Sequence, residues 1–78
     1  QKMTITLSKQ FDFCGCKDVY MNGNKIGDVI KYDDGTFEIR VSKLQRSTTG
    51  GSETVYRMIN TDKESMIITL VSNFINQH

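Results

Sequence analysis

Two turn signals in the middle of the chain restrict its fold more than any other feature. Asn22-Gly23 separates two apolar-rich segments, residues 19–21 and 25–32, and Asp33-Asp34-Gly35 follows the second of them. Asn-Gly is typical of a two-residue hairpin turn because both central positions need positive φ, which these residues tolerate. We predict a second turn of the same kind at Asp33-Asp34-Gly35. Segments joined by consecutive hairpins form an antiparallel meander.

Alternation of apolar and polar residues predicts the strands around these turns. In residues 3–13, apolar residues occupy most odd positions and polar residues the even ones, which indicates a strand with one buried face. Lys9 interrupts the pattern and marks a bulge or a sheet edge. Residues 36–44 and 54–59 alternate in the same way. We therefore expect about five strands.

The last part of the chain predicts a helix. In Thr61-Asp62-Lys63-Glu64, the Thr61 hydroxyl is expected to accept a hydrogen bond from the Glu64 amide, as in a capping box. The polar, glycine-rich segment at residues 45–53 is expected to be a flexible loop. Beyond the capping box, apolar residues recur at helical spacing and form one stripe, namely Met66, Ile67, Leu70, Val71 and Phe74.

These elements predict an α+β fold, in which an antiparallel β-meander of about five strands carries one C-terminal α-helix packed on one face. Seventy-eight residues make a single domain, residues 1–78. The formal charge of +1 lacks the basic excess of strong nucleic-acid binders. No apolar run approaches the roughly 20 residues that span a bilayer, and the N-terminus lacks the apolar region of a signal peptide. We expect a soluble cytoplasmic protein that does not bind membranes.

Residues suited to catalysis are scarce, so we expect a protein that is not an enzyme and has no cofactor. The single histidine, His78, is the last residue, and a terminal residue is usually frayed. Gly50-Gly51 lacks the lysine and the helix of a phosphate-binding loop. Asp33 and Asp34 could act as a pair of catalytic acids, but the predicted turn already accounts for two aspartates at these positions.

Cys14 and Cys16 flank Gly15 and are the two cysteines of the chain. A zinc site normally needs four ligands, and a bridge between residues two apart would close a strained ring. We favour thiols that pack as small apolar groups, with a bridge, redox role or metal as alternatives. An unbroken strand would point both cysteines to the polar side. We therefore predict a bulge or turn at Gly15 that rotates at least one of them inward.

Basic and tyrosine side chains are interleaved along the predicted sheet, and they are the candidate partner-binding residues. Lys31 and Arg40 lie on the polar parity of their strands, whereas Arg57 shares its parity with apolar neighbours. Acidic residues such as Asp28 lie among them, so an ordinary exposed face with balanced charges is the alternative. The candidates are Tyr20, Lys25, Lys31, Tyr32, Arg40, Tyr56 and Arg57.

The order of elements over about residues 19–76 resembles a pattern common in small phage and mobile-element proteins. One similar family is the AP2-like DNA-binding domain of integrase N-termini, whose sheet enters the major groove. Its helix entry, F-x-T-x-x-E-A, corresponds to residues 59–65, without the aromatic residue and the alanine. The other family is the small sheet-plus-helix anti-CRISPR proteins of phages. A type I-F member carries VYENGSKI, which is similar to residues 19–26.

The resemblance to anti-CRISPR proteins implies a phage-encoded, non-enzymatic protein. Such a protein binds and inhibits a host protein or complex, for example a CRISPR-Cas or restriction defence system, in the cytoplasm of the host cell. Tyr and Arg are enriched among interface anchors, which favours this hypothesis. The alternative is a small AP2-like DNA-binding module that uses the sheet face. A homo-oligomer formed through an open sheet edge is a third possibility.

Overall fold

The computed structural model describes residues 3–77, which form one five-stranded antiparallel sheet and one α-helix. The strands lie in the sheet in the same order as in the chain. The strands are β1 (Ile5–Leu7), β2 (Cys16–Met21), β3 (Asn24–Lys31), β4 (Phe37–Arg46) and β5 (Ser52–Thr61). A 3-10 turn at Glu64–Met66 leads into helix α1, Ile67–Asn76, which packs on the sheet. The predicted α+β meander with a C-terminal helix is confirmed.

The hydrophobic core lies between α1 and one face of the sheet. Three buried residues are the odd, apolar positions of β4, and three others belong to the predicted helix stripe. Leu70 is half-buried, and Met66 lies in the 3-10 turn. Full burial of one aliphatic or Phe side chain stabilises the folded state by about 1.5–3 kcal/mol relative to leaving it exposed. The core comprises Ile5, Val19, Val29, Phe37, Ile39, Val41, Ile67, Val71 and Phe74.

Cross-strand partners share a face of the sheet, which assigns the strand residues to its two sides. We call the side opposite α1 the outer face. A continuous row of partners crosses it from β2 to β5, and this row consists of Asp18, Asp28, Arg40 and Met58.

The two central turns differ from each other. Asn22 and Gly23 have φ of 52° and 85°, which confirms the two-residue turn. At the second turn, Gly35 alone has positive φ, and Tyr32 N donates to Thr36 O over 2.9 Å. The prediction of a second turn of the same kind is therefore wrong. The side chain of Asp34 stabilises the longer turn instead, because its Oδ1 accepts from the Thr36 amide and hydroxyl.

The first predicted strand, residues 3–13, is mostly wrong, because β1 covers only Ile5–Leu7. Beyond β1 the chain folds into a turn in which Asp12 Oδ1 accepts from the amides of Cys14 and Cys16, at 2.9 Å each. These side-chain bonds compete with a strand ladder. β2 accordingly begins at Cys16, earlier than the predicted start at residue 19.

The turn predicted at Gly15 is confirmed, since Gly15 has φ of 78°. The predicted inward rotation of a cysteine is wrong. Cys14 is exposed in the turn, and Cys16 is half-buried on the outer face opposite Ile30. The expectation that the thiols pack as small apolar groups therefore fails for Cys14.

The hairpin of β4 and β5 is longer than predicted. Its ladder continues to the pair Arg46 and Ser52. The connecting loop is therefore residues 47–51, and the ends of the polar segment at residues 45–53 belong to strands.

The capping box is also wrong. The Thr61 hydroxyl accepts from the amide of Lys63 over 3.1 Å, so it closes a tight turn at the end of β5. The Glu64 carboxylate lies 3.9 Å from Lys17 Nζ. The expectation about His78 falls outside the described residues.

Candidate functional site

The structure brings five of the seven candidate residues to the outer side of the molecule. Tyr32 lies in the β3–β4 turn, and its hydroxyl reaches Glu38 on β4. The other four project from strands of the outer face and are Tyr20, Lys25, Arg40 and Tyr56. Rigid strands hold these four side chains, which suits a preorganised binding surface.

Lys31 and Arg57 lie on the helix side instead. For Lys31, the polar parity assigned from the sequence is wrong, because Lys31 is opposite the buried Phe37 and its ammonium lies 5.6 Å from the centre of the Phe11 ring. Arg57 shares its face with Val41, as its parity indicated, and its guanidinium lies 5.2 Å from the centre of the Phe74 ring. Neither residue can contact the same partner surface as Arg40.

Lys25 is paired with a carboxylate within the outer face. Lys25 Nζ lies 3.2 Å from Asp18 Oδ1, and the Tyr20 hydroxyl donates to Asp18 Oδ2 over 3.3 Å. The hydrogen bond to Asp18 raises the pKa of Lys25 above its usual value. Asp18 therefore neutralises the charge of Lys25 and orients Tyr20.

Arg40 is neutralised in the same way. Its Nε donates to Asp28 Oδ1 over 3.0 Å, which raises the pKa of Arg40. Nearby, the Tyr32 hydroxyl donates to Glu38 over 3.2 Å. Partial desolvation of the Tyr32 hydroxyl, and to a smaller extent its hydrogen bond to Glu38, raises the pKa of Tyr32. The outer face thus presents balanced charge pairs, whereas a phosphate-binding surface presents uncompensated cations.

Exposed apolar side chains are the distinctive feature of the outer face. Leu44, Tyr56 and Met58 are 77%, 78% and 59% exposed. They project from the β4–β5 hairpin on the same side as Arg40. Tyr56, Met58 and Arg40 also line an open depression of about 340 Å³. Leu44 and Met58 were not among the candidates, although their even parity, shared with Arg40 and Tyr56, would have identified them.

Another exposed apolar residue lies at one end of the sheet, apart from the three on the outer face. Phe13 is 100% exposed in the turn that Asp12 stabilises. Beside it, Phe13, Cys14 and Tyr32 line a depression of about 470 Å³. The sequence placed Phe13 on the inward parity of a long strand, and the interruption of that pattern at Lys9 was interpreted as a bulge or a sheet edge rather than as the end of the strand.

Both cysteines are free thiols, and Cys14 lines this second depression. Partial desolvation and the nearby Asp12 carboxylate raise the pKa of Cys16, so its thiol is less reactive at neutral pH than an ordinary cysteine. Within residues 3–77, no three His, Cys, Asp or Glu side chains are grouped as metal ligands would be.

None of the helical structure described for residues 3–77 is long and apolar enough to cross a membrane. Comparison with protein-family models, curated proteins and solved structures finds no match to this chain.

Proposed function

We propose that this chain is a non-enzymatic binding protein that occupies a protein partner with its outer face. The main observation in support is that Leu44, Tyr56 and Met58 are exposed on a rigid hairpin beside Arg40. Exposed apolar groups rimmed by polar residues are typical of protein interaction sites. Tyr and Arg are also the residue types that most often carry binding energy at protein interfaces.

A protein partner fits this surface better than duplex DNA does. Carboxylates of the same face are paired with Lys25 and Arg40, while Lys31 and Arg57 point to the helix side. A DNA-binding sheet would gain affinity by neutralising phosphates with free cations. The AP2-like alternative therefore depends on the order of elements, and the paired charges of the outer face do not favour it.

The resemblance to anti-CRISPR proteins supports a more specific form of the proposal. The chain is then phage-encoded, needs no cofactor and inhibits a host complex, such as a CRISPR-Cas or restriction system, in the cytoplasm of the host cell. Balanced surface charges and exposed apolar anchors are compatible with stoichiometric occupation of such a complex.

The proposal is tested by expressing the chain in cells whose CRISPR-Cas or restriction system targets a known phage. We expect wild type to raise the plating efficiency of that phage and to co-purify with a subunit of the defence complex. Tyr56→Ala with Met58→Ala should weaken that complex at least about 30-fold, because removing even one interface anchor costs about 2 kcal/mol.

Ile68→Ala is the matched control, because Ile68 is a 46% exposed apolar residue on α1. It should bind and inhibit like wild type. Loss of inhibition in Ile68→Ala as well, or undiminished inhibition by the double variant, would contradict use of the outer face. Retardation of duplex DNA at low salt, without any protein partner, would favour the AP2-like alternative.

A further inference from the structure

The two edges of the sheet are very unequal. β1 has three residues, whereas β5 has ten and pairs with β4 on one side only within the described chain. The backbone groups on the other side of β5 are therefore available to another strand. Proteins usually protect such an edge with a short strand, charged side chains (lysine above all), proline or a bulge. β5 contains no lysine or proline, its ladder with β4 is regular throughout, and its two charged residues, Glu53 and Arg57, are opposite in sign.

We propose that β5 pairs with β5 of a second copy of this chain, antiparallel, about a two-fold axis at Val55. This dimer does not depend on the proposed function. A two-fold axis normal to the sheet makes the same face continue from one copy to the next. Odd-numbered residues of one β5 therefore lie opposite odd-numbered residues of the other, and even-numbered residues opposite even-numbered ones. Residues 52–58 of both copies then form the new ladder.

Charge complementarity selects this register. With Val55 on the axis, Glu53 lies directly opposite Arg57 of the second copy, and symmetry repeats the pair. Glu53 and Arg57 are both exposed, and neither forms an ion pair with another side chain of residues 3–77. Opposite charges at directly paired positions stabilise a sheet. The dimer thus gives Glu53 an ion-pair partner and adds an ion pair to the contact that Arg57 makes with the Phe74 ring.

Neighbouring registers lack this match. Moving the axis to Tyr56 places Arg57 opposite Val55, and moving it to Arg57 places two guanidinium groups opposite each other. Like charges at directly paired positions are destabilising. In the Val55 register, Tyr56 lies opposite Thr54 on the outer face. The two outer faces then form one surface with the exposed apolar residues of both copies near its centre.

The test is a charge exchange measured by sedimentation equilibrium on the full chain. Wild type should approach twice the 8.9 kDa chain mass at concentrations below about 1 mM. Arg57→Glu and Glu53→Arg each create two like-charge pairs and should weaken the dimer at least about tenfold. The double variant E53R/R57E restores opposite charges and should dimerise again. Lys9→Glu, an exposed change outside the strands, is the control and should dimerise like wild type.

A wild-type chain that stays monomeric up to about 1 mM would overturn the proposal, as would a dimer that both single changes leave intact. A folded double variant that remains monomeric would contradict the register. Amide hydrogen exchange of wild type provides a test that does not depend on how the variants fold. Alternate amides of residues 52–58 should exchange more slowly as concentration rises. Exchange in this segment that is independent of concentration would refute pairing through β5.

Discussion

Lys43 connects the sheet to the end of the helix. Its ammonium donates to the carbonyl oxygens of Phe74 and Gln77, at 2.7 and 2.6 Å, and lies 4.8 Å from the centre of the Phe74 ring. The last carbonyls of a helix lack intrahelical partners and carry partial negative charge. A single half-buried side chain therefore caps α1 and holds it on β4.

Replacing Lys43 by Met should lower the free energy of unfolding by about 1–2 kcal/mol, because the aliphatic part is kept while two charged hydrogen bonds are lost. Urea unfolding measures this loss. Lys9→Met, at an exposed position outside the strands, is the control and should change stability by less than about 0.5 kcal/mol. Equal stability of the two variants would show that Lys43 does not cap the helix.

Asp34 should make the stability of the second turn depend on pH. Hydrogen bonds from the Thr36 hydroxyl and amide lower the pKa of Asp34 below its usual value of 3.8. The folded state thus favours the carboxylate. Its stabilisation is fully present above pH 3.8 and is lost as the pH falls through the lower folded pKa.

Asp34→Asn removes this titration, so the stability advantage of wild type over the variant should shrink as the pH falls below 3.8. Thermal unfolding from neutral to strongly acidic pH measures the difference. Asp33→Asn, at the exposed neighbouring position, is the control. A constant difference between wild type and Asp34→Asn across this range would show that the Thr36 bonds do not favour the carboxylate.

At the scale of elements, close approach of two strands depends on Gly27. The ladder of β2 and β3 shifts register between Val19 and Tyr20, next to Gly27. A Cβ atom on Gly27 would overlap the backbone carbonyl of Arg40 and lie 2.8 Å from Val41 Cα. Both atoms belong to the neighbouring strand, so β3 and β4 would have to separate.

Gly27→Ala should therefore destabilise the protein by about 1–3 kcal/mol, the usual cost of overpacking. Gly51→Ala is the control, because a Cβ atom there meets nothing within 4 Å, and it should be nearly neutral. Both free energies come from denaturant unfolding. A neutral Gly27→Ala would mean that the two strands can move apart at little cost.

The elements differ in how well the sequence predicts them. β3, β4 and β5 follow from turn residues and alternation, which are local signals. The end of β1 depends on Asp12, whose side chain binds the amides of Cys14 and Cys16, and alternation carries no record of such a bond. Thr61 likewise binds the Lys63 amide rather than that of Glu64. Short polar side chains offer several local hydrogen bonds, and packing selects among them.

The candidate site was predictable to a similar extent. Even parity in β4 and β5 places Arg40 and Tyr56 on one face, as the structure has them. Lys31 was misplaced because β3 carries apolar residues at both parities, Val29 and Ile30, so its buried face cannot be told from the pattern. The full exposure of Phe13 depends on where β1 ends, and the interruption at Lys9 indicated an irregularity there without showing that the strand stops.

At the scale of the whole molecule, the order of elements affects how the chain folds during synthesis. Each strand pairs with its neighbour in the chain, so hairpins can close as soon as they leave the ribosome, and such short-range contacts favour rapid folding. Helix α1, however, follows all five strands. The apolar face of the sheet that Ile67, Val71 and Phe74 cover therefore stays exposed until α1 has been translated, and transiently exposed apolar surface is the kind of surface that chaperones bind.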